Sequence, residues 1–224
     1  MKQLIFDCDG VLIDSEIIAA QAMVEELNAN GIPITISQYL TNCTGKTFSG
    51  LKTILSAEYG VTLPDDFVQT VTLNMEGLKL QQLRPIIGIL NLLNKILHFP
   101  KAVVSNSELV QIKSSLTQVD VLHHFGDNIY SSEQVKNPKP SPDVYLFAAE
   151  NLGVNPKDCL VIEDSVSGAT AALSAGMQVV GLLSGSHIVE GHEDRLREVG
   201  VEKIAITTEE LEAMIFRKFE PQNR

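Results

Sequence analysis

The chain has 224 residues, 44% of them hydrophobic, and a mean hydropathy of +0.10, which is enough apolar material for a sizeable core and too much for a disordered chain. Its formal net charge of −11 and pI of about 4.9 argue against a nucleic-acid or anionic-membrane surface, so an anionic ligand needs a local positive device such as a metal or a placed lysine. Cys8, Cys43 and Cys159 form no CxxC pair, no apolar run approaches the ~20 residues of a membrane span, and Met1-Lys2 opens on a strand rather than a leader; a reduced, cytoplasmic monomer is expected, with no nucleic-acid and no membrane partner.

The first element is a short apolar strand, Leu4-Ile5-Phe6, which runs into Asp7-Cys8-Asp9-Gly10-Val11-Leu12-Ile13-Asp14-Ser15-Glu16. Side chains alternate along a strand, so Asp7 and Asp9 lean the same way if the extended conformation lasts that far. Two carboxylates that close repel by on the order of 4 kcal/mol at about 4 Å and an effective dielectric of 20, unless a cation or a proton relieves them. Such a pair marks a metal site or a proton-transfer site.

From about Glu16 to Gln82 the pattern is helical. Ile17, Ala20, Val24 and Leu27 recur at helical spacing, as do Phe48, Leu51 and Leu55, and then Phe67, Val71, Met75 and Leu78. Breaks fall at Asn30-Gly31-Ile32-Pro33, at Gly60 and at Leu63-Pro64-Asp65-Asp66. These segments read as a small helical bundle.

From Leu83 the pattern alternates. A helix over 86–97 precedes a strand over 101–105, a helix from Ser107, a strand over 128–131 and a helix from Ser141. A strand over 159–162, an alanine-rich helix near 168–175 and a strand over 177–183 follow. Such alternation implies a parallel sheet covered on both faces through right-handed crossovers. The expected fold is therefore α/β, a doubly wound parallel sheet with a helical cap inserted after its first strand. Residues 1–15 and 84–224 would form the core and 16–83 the cap, with hinges at 13–16 and 83–88, where Pro85 and Gly88 punctuate the return. The tail 220–224 is expected to fray.

In an open parallel sheet, ligands bind at the carboxyl ends of the strands. The polar residues there are Asp7 and Asp9 after the first strand, Ser105-Asn106-Ser107 after the second, Lys139 after the third and Glu163-Asp164-Ser165 after the fourth. Four carboxylates and one lysine would repel phosphate, but a divalent cation reverses that. Oxygen ligands without paired histidines favour Mg²⁺. With Mg²⁺ bound and Asp9 protonated, the formal charge comes to about zero, and a phosphate dianion can enter. Ser107 reads as an N-cap whose helix aims free amides at the crevice, and Ser141-Pro142-Asp143 as a second N-cap holding the Lys139 loop.

At four stretches the chain resembles the haloacid dehalogenase superfamily, in the branch of β-phosphoglucomutases and sugar-phosphate phosphatases. They are DCDGVLIDSE at 7–16, VVSNS at 103–107, KPSPDVY at 139–145 and VIEDSVSG at 161–168, in family order. The resemblance implies that Asp7 attacks phosphorus to give an aspartyl-phosphate. Asp9 would protonate the leaving oxygen and then activate water. Mg²⁺ would sit on the Asp7 carboxylate, the Asp9 carbonyl and the acidic pair, Asp164 first and Glu163 second, while Ser105 and Lys139 hold the transferring oxygens. Ser105, Asn106, Lys46 and Lys139 are the expected substrate contacts. Residues 103–145 and EYGVTL at 58–63 are also similar to bacterial phosphatases acting on 6-phosphogluconate, which implies a small phosphorylated sugar or sugar acid as partner.

A phosphosugar mutase is the alternative, yet Glu108 stands where mutases carry a lysine and Phe48 lies near where they carry a cap arginine. Both departures favour hydrolysis. Dehalogenases lack a carboxylate at the Asp9 position and need no metal. A third reading, from a non-enzymatic class, is a phospho-acceptor signalling domain, which combines an acceptor aspartate, acidic ligands, a hydroxyl and a lysine but normally lacks a long insert. Lys46, in Thr44-Gly45-Lys46-Thr47, either reaches down to an anionic substrate or is an exposed lysine at a helix start. His98, His123, His124, His187 and His192 show no metal-ligand spacing and read as surface or core residues.

Overall fold

The computed structural model of the chain describes residues 2–43 and 48–219. Six parallel strands, β1 (Gln3–Phe6), β2 (Lys101–Ser105), β3 (Ile129–Ser131), β4 (Cys159–Glu163), β5 (Gln178–Leu182) and β6 (Lys203–Ala205), form one sheet in the order β3-β2-β1-β4-β5-β6. β1, β2 and β4 are buried along their whole length, so their near-continuous apolar runs face helices on both sides. The two faces separate by strict alternation. Leu4, Phe6, Val103, Leu160 and Ile162 join one apolar cluster, and Ile5, Ala102, Val104 and Val161 join the other.

The first cluster is closed by α5 (Ile89–Lys95), α6 (Leu109–Gln118) and α10 (Thr208–Phe219), through residues such as Leu92, Ile112, Leu116 and Leu211. The second is closed by α7 (Asp143–Asn151), α8 (Val166–Ser174) and α9 (His192–Glu198), through Tyr145, Ala148, Ala169, Ala172 and Leu196. The doubly wound sheet expected from the alternation is present. β6, α9 and α10 lie beyond the last expected strand. β6 is a three-residue edge strand in which Ala205 alone is fully buried, too short to show a period of two.

Between β1 and α5 stand α1 (Glu16–Ala29), α2 (Ile36–Asn42), α3 (Phe48–Tyr59) and α4 (Phe67–Gln82). They enclose a third apolar cluster that includes Ala22, Val24, Leu27, Ile32, Leu51, Leu63 and Phe67. The chain leaves and re-enters the sheet domain side by side, with Asp14 N–H donating to the Arg84 carbonyl at 2.9 Å and Ile86 N–H to the Leu12 carbonyl at 3.0 Å. Lys46 and its turn, and the tail 220–224, lie outside the described residues.

Two helix starts differ from expectation. α6 begins at Leu109, and Ser107 turns its hydroxyl toward the crevice instead of capping it. α7 begins at Asp143 with Pro142 in the cap position, while the Ser141 hydroxyl donates to the Asp143 carboxylate at 2.5 Å.

Candidate active site

The strand order reverses between β1 and β4, and a crevice opens at such a switch point beyond the carboxyl ends of the strands. Asp7 immediately follows β1 and is fixed there by its N–H bond to the Ile162 carbonyl at 2.9 Å. Glu163 ends β4, Asp164 follows it, Ser105 ends β2, and Lys139 lies on the loop after β3. Asp7, Asp9, Ser105, Asn106, Lys139 and Asp164 all line one cavity of about 830 Å³, a size suited to a small molecule. Helices α1, α2 and α4 supply its other wall through Glu16, Ala19, Leu40, Thr41, Met75 and Lys79.

Lys139 is the hub. Its Nζ donates to Asp7 Oδ1 at 2.6 Å, to Glu163 Oε1 at 2.8 Å and to the Val104 carbonyl at 3.0 Å, so all three of its protons are placed. Its side chain is 4% exposed. Burial works against its charge, but the carboxylates of Asp7 and Glu163 outweigh that and hold it well above the ordinary lysine range. Asn106 pins the loop, accepting from the Lys139 N–H at 2.9 Å and donating to its carbonyl at 3.2 Å. The side-chain amide of Asn106 is thus engaged at the cavity rim by the Lys139 backbone.

Glu163 is fully occupied. Oε1 accepts from Lys139 and from the Tyr145 hydroxyl at 2.9 Å, and Oε2 accepts from the N–H groups of Asp164 and Ser165 and from the Ser165 hydroxyl. Gly168 makes room for it, because a Cβ there would collide with the Glu163 carboxylate. The Asp9 side chain is held by three hydroxyls: Ser15 at 2.6 Å on Oδ1, with Ser107 at 2.9 Å and Ser105 at 3.3 Å on Oδ2. β1 ends at Phe6, so Asp7 and Asp9 share the cavity through the turn that follows rather than through strand alternation.

Asp164 closes the cluster. Its Oδ2 lies 2.9 Å from His187 Nε2, while Oδ1 is buried with no hydrogen-bond partner. Burial pushes the carboxyls of Asp7 and Asp164 up, and Glu163 adds to both, with Lys139 opposing the rise at Asp7. Asp7, Glu163 and Asp164 offer oxygens within 4.8 Å of one another, and the Asp9 carboxylate stands outside that group. A partnerless buried carboxylate oxygen in a group of three carboxylates fits a divalent cation. Asp7 and Asp164 suit it better than Glu163, whose lone pairs are already taken. Gly10, at φ +82, lets the turn approach this point, since a Cβ would strike both Asp164 and His187.

Two of the five histidines have a place in the site that the sequence did not signal. His187 and His192 are buried, as a core reading allows, and line the cavity, and both contact Asp164: His187 at its carboxylate and His192 at its main-chain carbonyl, 2.6 Å from Nε2. Burial lowers the pKa of each. Arg195 lies beyond them, 3.1 Å from His192 Nδ1. All three follow β5, so inspecting that strand's carboxyl end in the sequence would have found them. Ser15 and Tyr145 had no such signal; each contact depends on two segments meeting.

Acidic groups at the ends of β1 and β4, a lysine from the loop after β3 and a helical insert after β1 define a class of α/β proteins whose site lies at the carboxyl ends of the central strands. The profile of the haloacid dehalogenase-like hydrolases matches residues 4–182, and the chain belongs to that family and is a hydrolase. It is 32% identical over 180 residues to the 6-phosphogluconate phosphatase of Escherichia coli, covering 80% of this chain and 81% of that one. The crystal structure of a haloacid dehalogenase-like protein from Agrobacterium tumefaciens superposes with a TM-score of 0.92 at 32% identity, over 98% of this chain and 100% of that one. A family hydrolase from Deinococcus radiodurans, solved with bound phosphate and sodium, gives 0.87 at 30% identity over 97% and 96%. Among the described residues no helix is long and apolar enough to cross a membrane.

Proposed function

We propose that this chain is a Mg²⁺-dependent phosphatase that hydrolyses a small phosphorylated metabolite, a sugar phosphate or a phosphorylated sugar acid, through an aspartyl-phosphate on Asp7. The observation that carries the reading is the buried ammonium of Lys139 on Asp7 Oδ1, beside the partnerless oxygen of Asp164. A nucleophile, a fixed positive charge and a vacant ligand oxygen then meet at one point.

In the first step an Asp7 carboxylate oxygen bonds to phosphorus as the ester P–O bond breaks, and Asp9 gives its proton to the departing oxygen. In the second step water attacks the same phosphorus, Asp9 takes a proton from that water, and the bond to Asp7 breaks to release inorganic phosphate. Serine hydroxyls donate or accept with equal ease, so Ser15, Ser105 and Ser107 can orient Asp9 in either protonation state. Lys139 keeps positive charge where the transition state spreads negative charge, and Glu163 and Asn106 keep Lys139 in place. Asp7, the Asp9 carbonyl and Asp164 would hold the Mg²⁺, which when bound supplies Lewis-acid stabilisation of the phosphoryl oxygens. The segment 16–83 acts as a cap that excludes water and selects the leaving group, moving about the paired crossings near Asp14 and Arg84.

Similarity to a 6-phosphogluconate phosphatase supports the substrate class. The test is catalytic release of phosphate from p-nitrophenyl phosphate with Mg²⁺, lost in Asp7→Asn and reduced in Asp9→Asn. Stoichiometric phosphorylation without turnover would establish a signalling domain instead, and conversion of β-glucose 1-phosphate without phosphate release would establish a mutase.

A further inference from the structure

Two cations of the cavity have no part in the reaction above. Arg195 on α9 and Lys79 on α4 both line it, and among the described residues neither forms an ion pair. In a chain with 28 acidic and 17 basic residues, a half-buried arginine with no carboxylate partner is available for an anion that arrives with the ligand.

Arg195 is also splinted. Gly191, at φ 78, is the cap residue before α9, and His192 and Arg195 stand three residues apart on one face of that helix. The main-chain carbonyl of Asp164 is an acceptor only, so His192 Nε2, 2.6 Å away, bears the ring proton and Nδ1 keeps its lone pair. That lone pair accepts from the Arg195 guanidinium at 3.1 Å. A single N–H is thereby used, and the fork makes no other side-chain hydrogen bond among the described residues. The contacts run from the Asp164 main chain through the His192 ring to Arg195, so an imidazole separates the guanidinium from the acidic cluster while both share one cavity.

Resting on the phosphatase reading above, we propose that Arg195, held by His192, is a specificity-determining residue that binds a carboxylate at the end of the substrate remote from the transferred phosphate. The preferred substrate is then a phosphorylated sugar acid and not a neutral phosphorylated polyol. A guanidinium fork matches a planar carboxylate with two parallel N–H bonds. A second phosphate dianion would need more neutralising charge than one such fork supplies in a chain of this acidity. Lys79 faces the same space from the insert side and adds attraction at longer range.

The test compares gluconate 6-phosphate with glucitol 6-phosphate, six-carbon chains that differ only in a terminal carboxylate against a terminal CH₂OH, with p-nitrophenyl phosphate as a gauge of chemistry. The wild-type chain should favour the carboxylate by about tenfold or more in kcat/KM, the scale of one charge-assisted fork. Arg195→Gln should collapse that ratio toward one, mainly by raising KM for gluconate 6-phosphate, and Arg195→Lys should restore part of it. A merely structural role lowers both substrates alike and leaves the ratio standing, which overturns the inference. So does a wild-type ratio near one, or turnover of p-nitrophenyl phosphate with neither sugar derivative accepted. Failure of every ester with Mg²⁺ present removes the phosphatase reading and the inference together.

Discussion

On the sheet side of the cavity, Lys139, Asp7 and Glu163 are buried and bonded to one another, and Asp9 sits among three serine hydroxyls. On the insert side, Ala19 and Met75 offer partly covered apolar surface and Lys79 an ammonium with no ion-pair partner among the described residues. A tightly satisfied polar network holds groups within fractions of an ångström, as transfer of a phosphoryl group requires. A loosely tied wall can adapt to the rest of a ligand. Changes within the bonded network at the strand ends should therefore reach kcat and stability, and changes on the insert side, like the change at Arg195, should reach KM.

The largest expected effect is at the nucleophile. Asp7→Asn should lower kcat on p-nitrophenyl phosphate by on the order of 10³-fold or more, with circular dichroism unchanged because Glu163 still pairs Lys139. Retention of a tenth of the activity would mean that Asp7 is not the attacking group. Next comes the hub. Lys139→Met leaves Asp7 and Glu163 buried without their cation, and urea unfolding should show a loss of about 3–5 kcal/mol. A loss under 1 kcal/mol would show that the sheet wall is not organised around that ammonium.

Metal binding sharpens the contrast without any turnover. Mg²⁺ at about 100 times its dissociation constant should stabilise the native state by about 2.7 kcal/mol, which for a chain of this size is a rise in Tm of roughly 5–10 °C. Chelation should reverse the rise, and Asp164→Asn should abolish it, because the partnerless Oδ1 belongs to that residue. No response in the wild-type chain would remove the cluster from consideration as a metal site. Smaller still, Tyr145→Phe keeps the ring in its packed position and deletes the bond to Glu163 Oε1. It should cost about 1.5 kcal/mol in the same urea measurement; no change would mean that Glu163 finds another donor.

The smallest effect belongs to the insert wall. Lys79→Gln should raise KM for an anionic substrate a few-fold, about 1 kcal/mol or less, with kcat held, as removal of uniform binding does. A drop in kcat with KM unchanged would place Lys79 in the chemistry and erase the distinction between the two walls.

The doubly wound sheet, the strand ends and the meeting of Asp7, Asp9, Ser105, Lys139 and Asp164 around one crevice, with Glu163 buried behind Lys139, could be read from residue patterns as far as which strand end each residue occupies. Apolar runs of strand length alternating with helical periods permit few topologies, and a parallel sheet puts its strand-end residues on one edge whatever the details. Hydrogen-bond partners were a different matter. That Ser107 turns to Asp9 rather than capping α6, that Glu163 is consumed by Lys139, Tyr145 and Ser165, and that His187, His192 and Arg195 line up from Asp164 outward depend on distances between segments far apart in the chain. Local order dictates which edge a side chain joins, because the strand period is a backbone property. Which neighbour satisfies that side chain is settled only when the helices pack, since burial makes each polar group find a partner among whatever the packing has brought within about 3 Å.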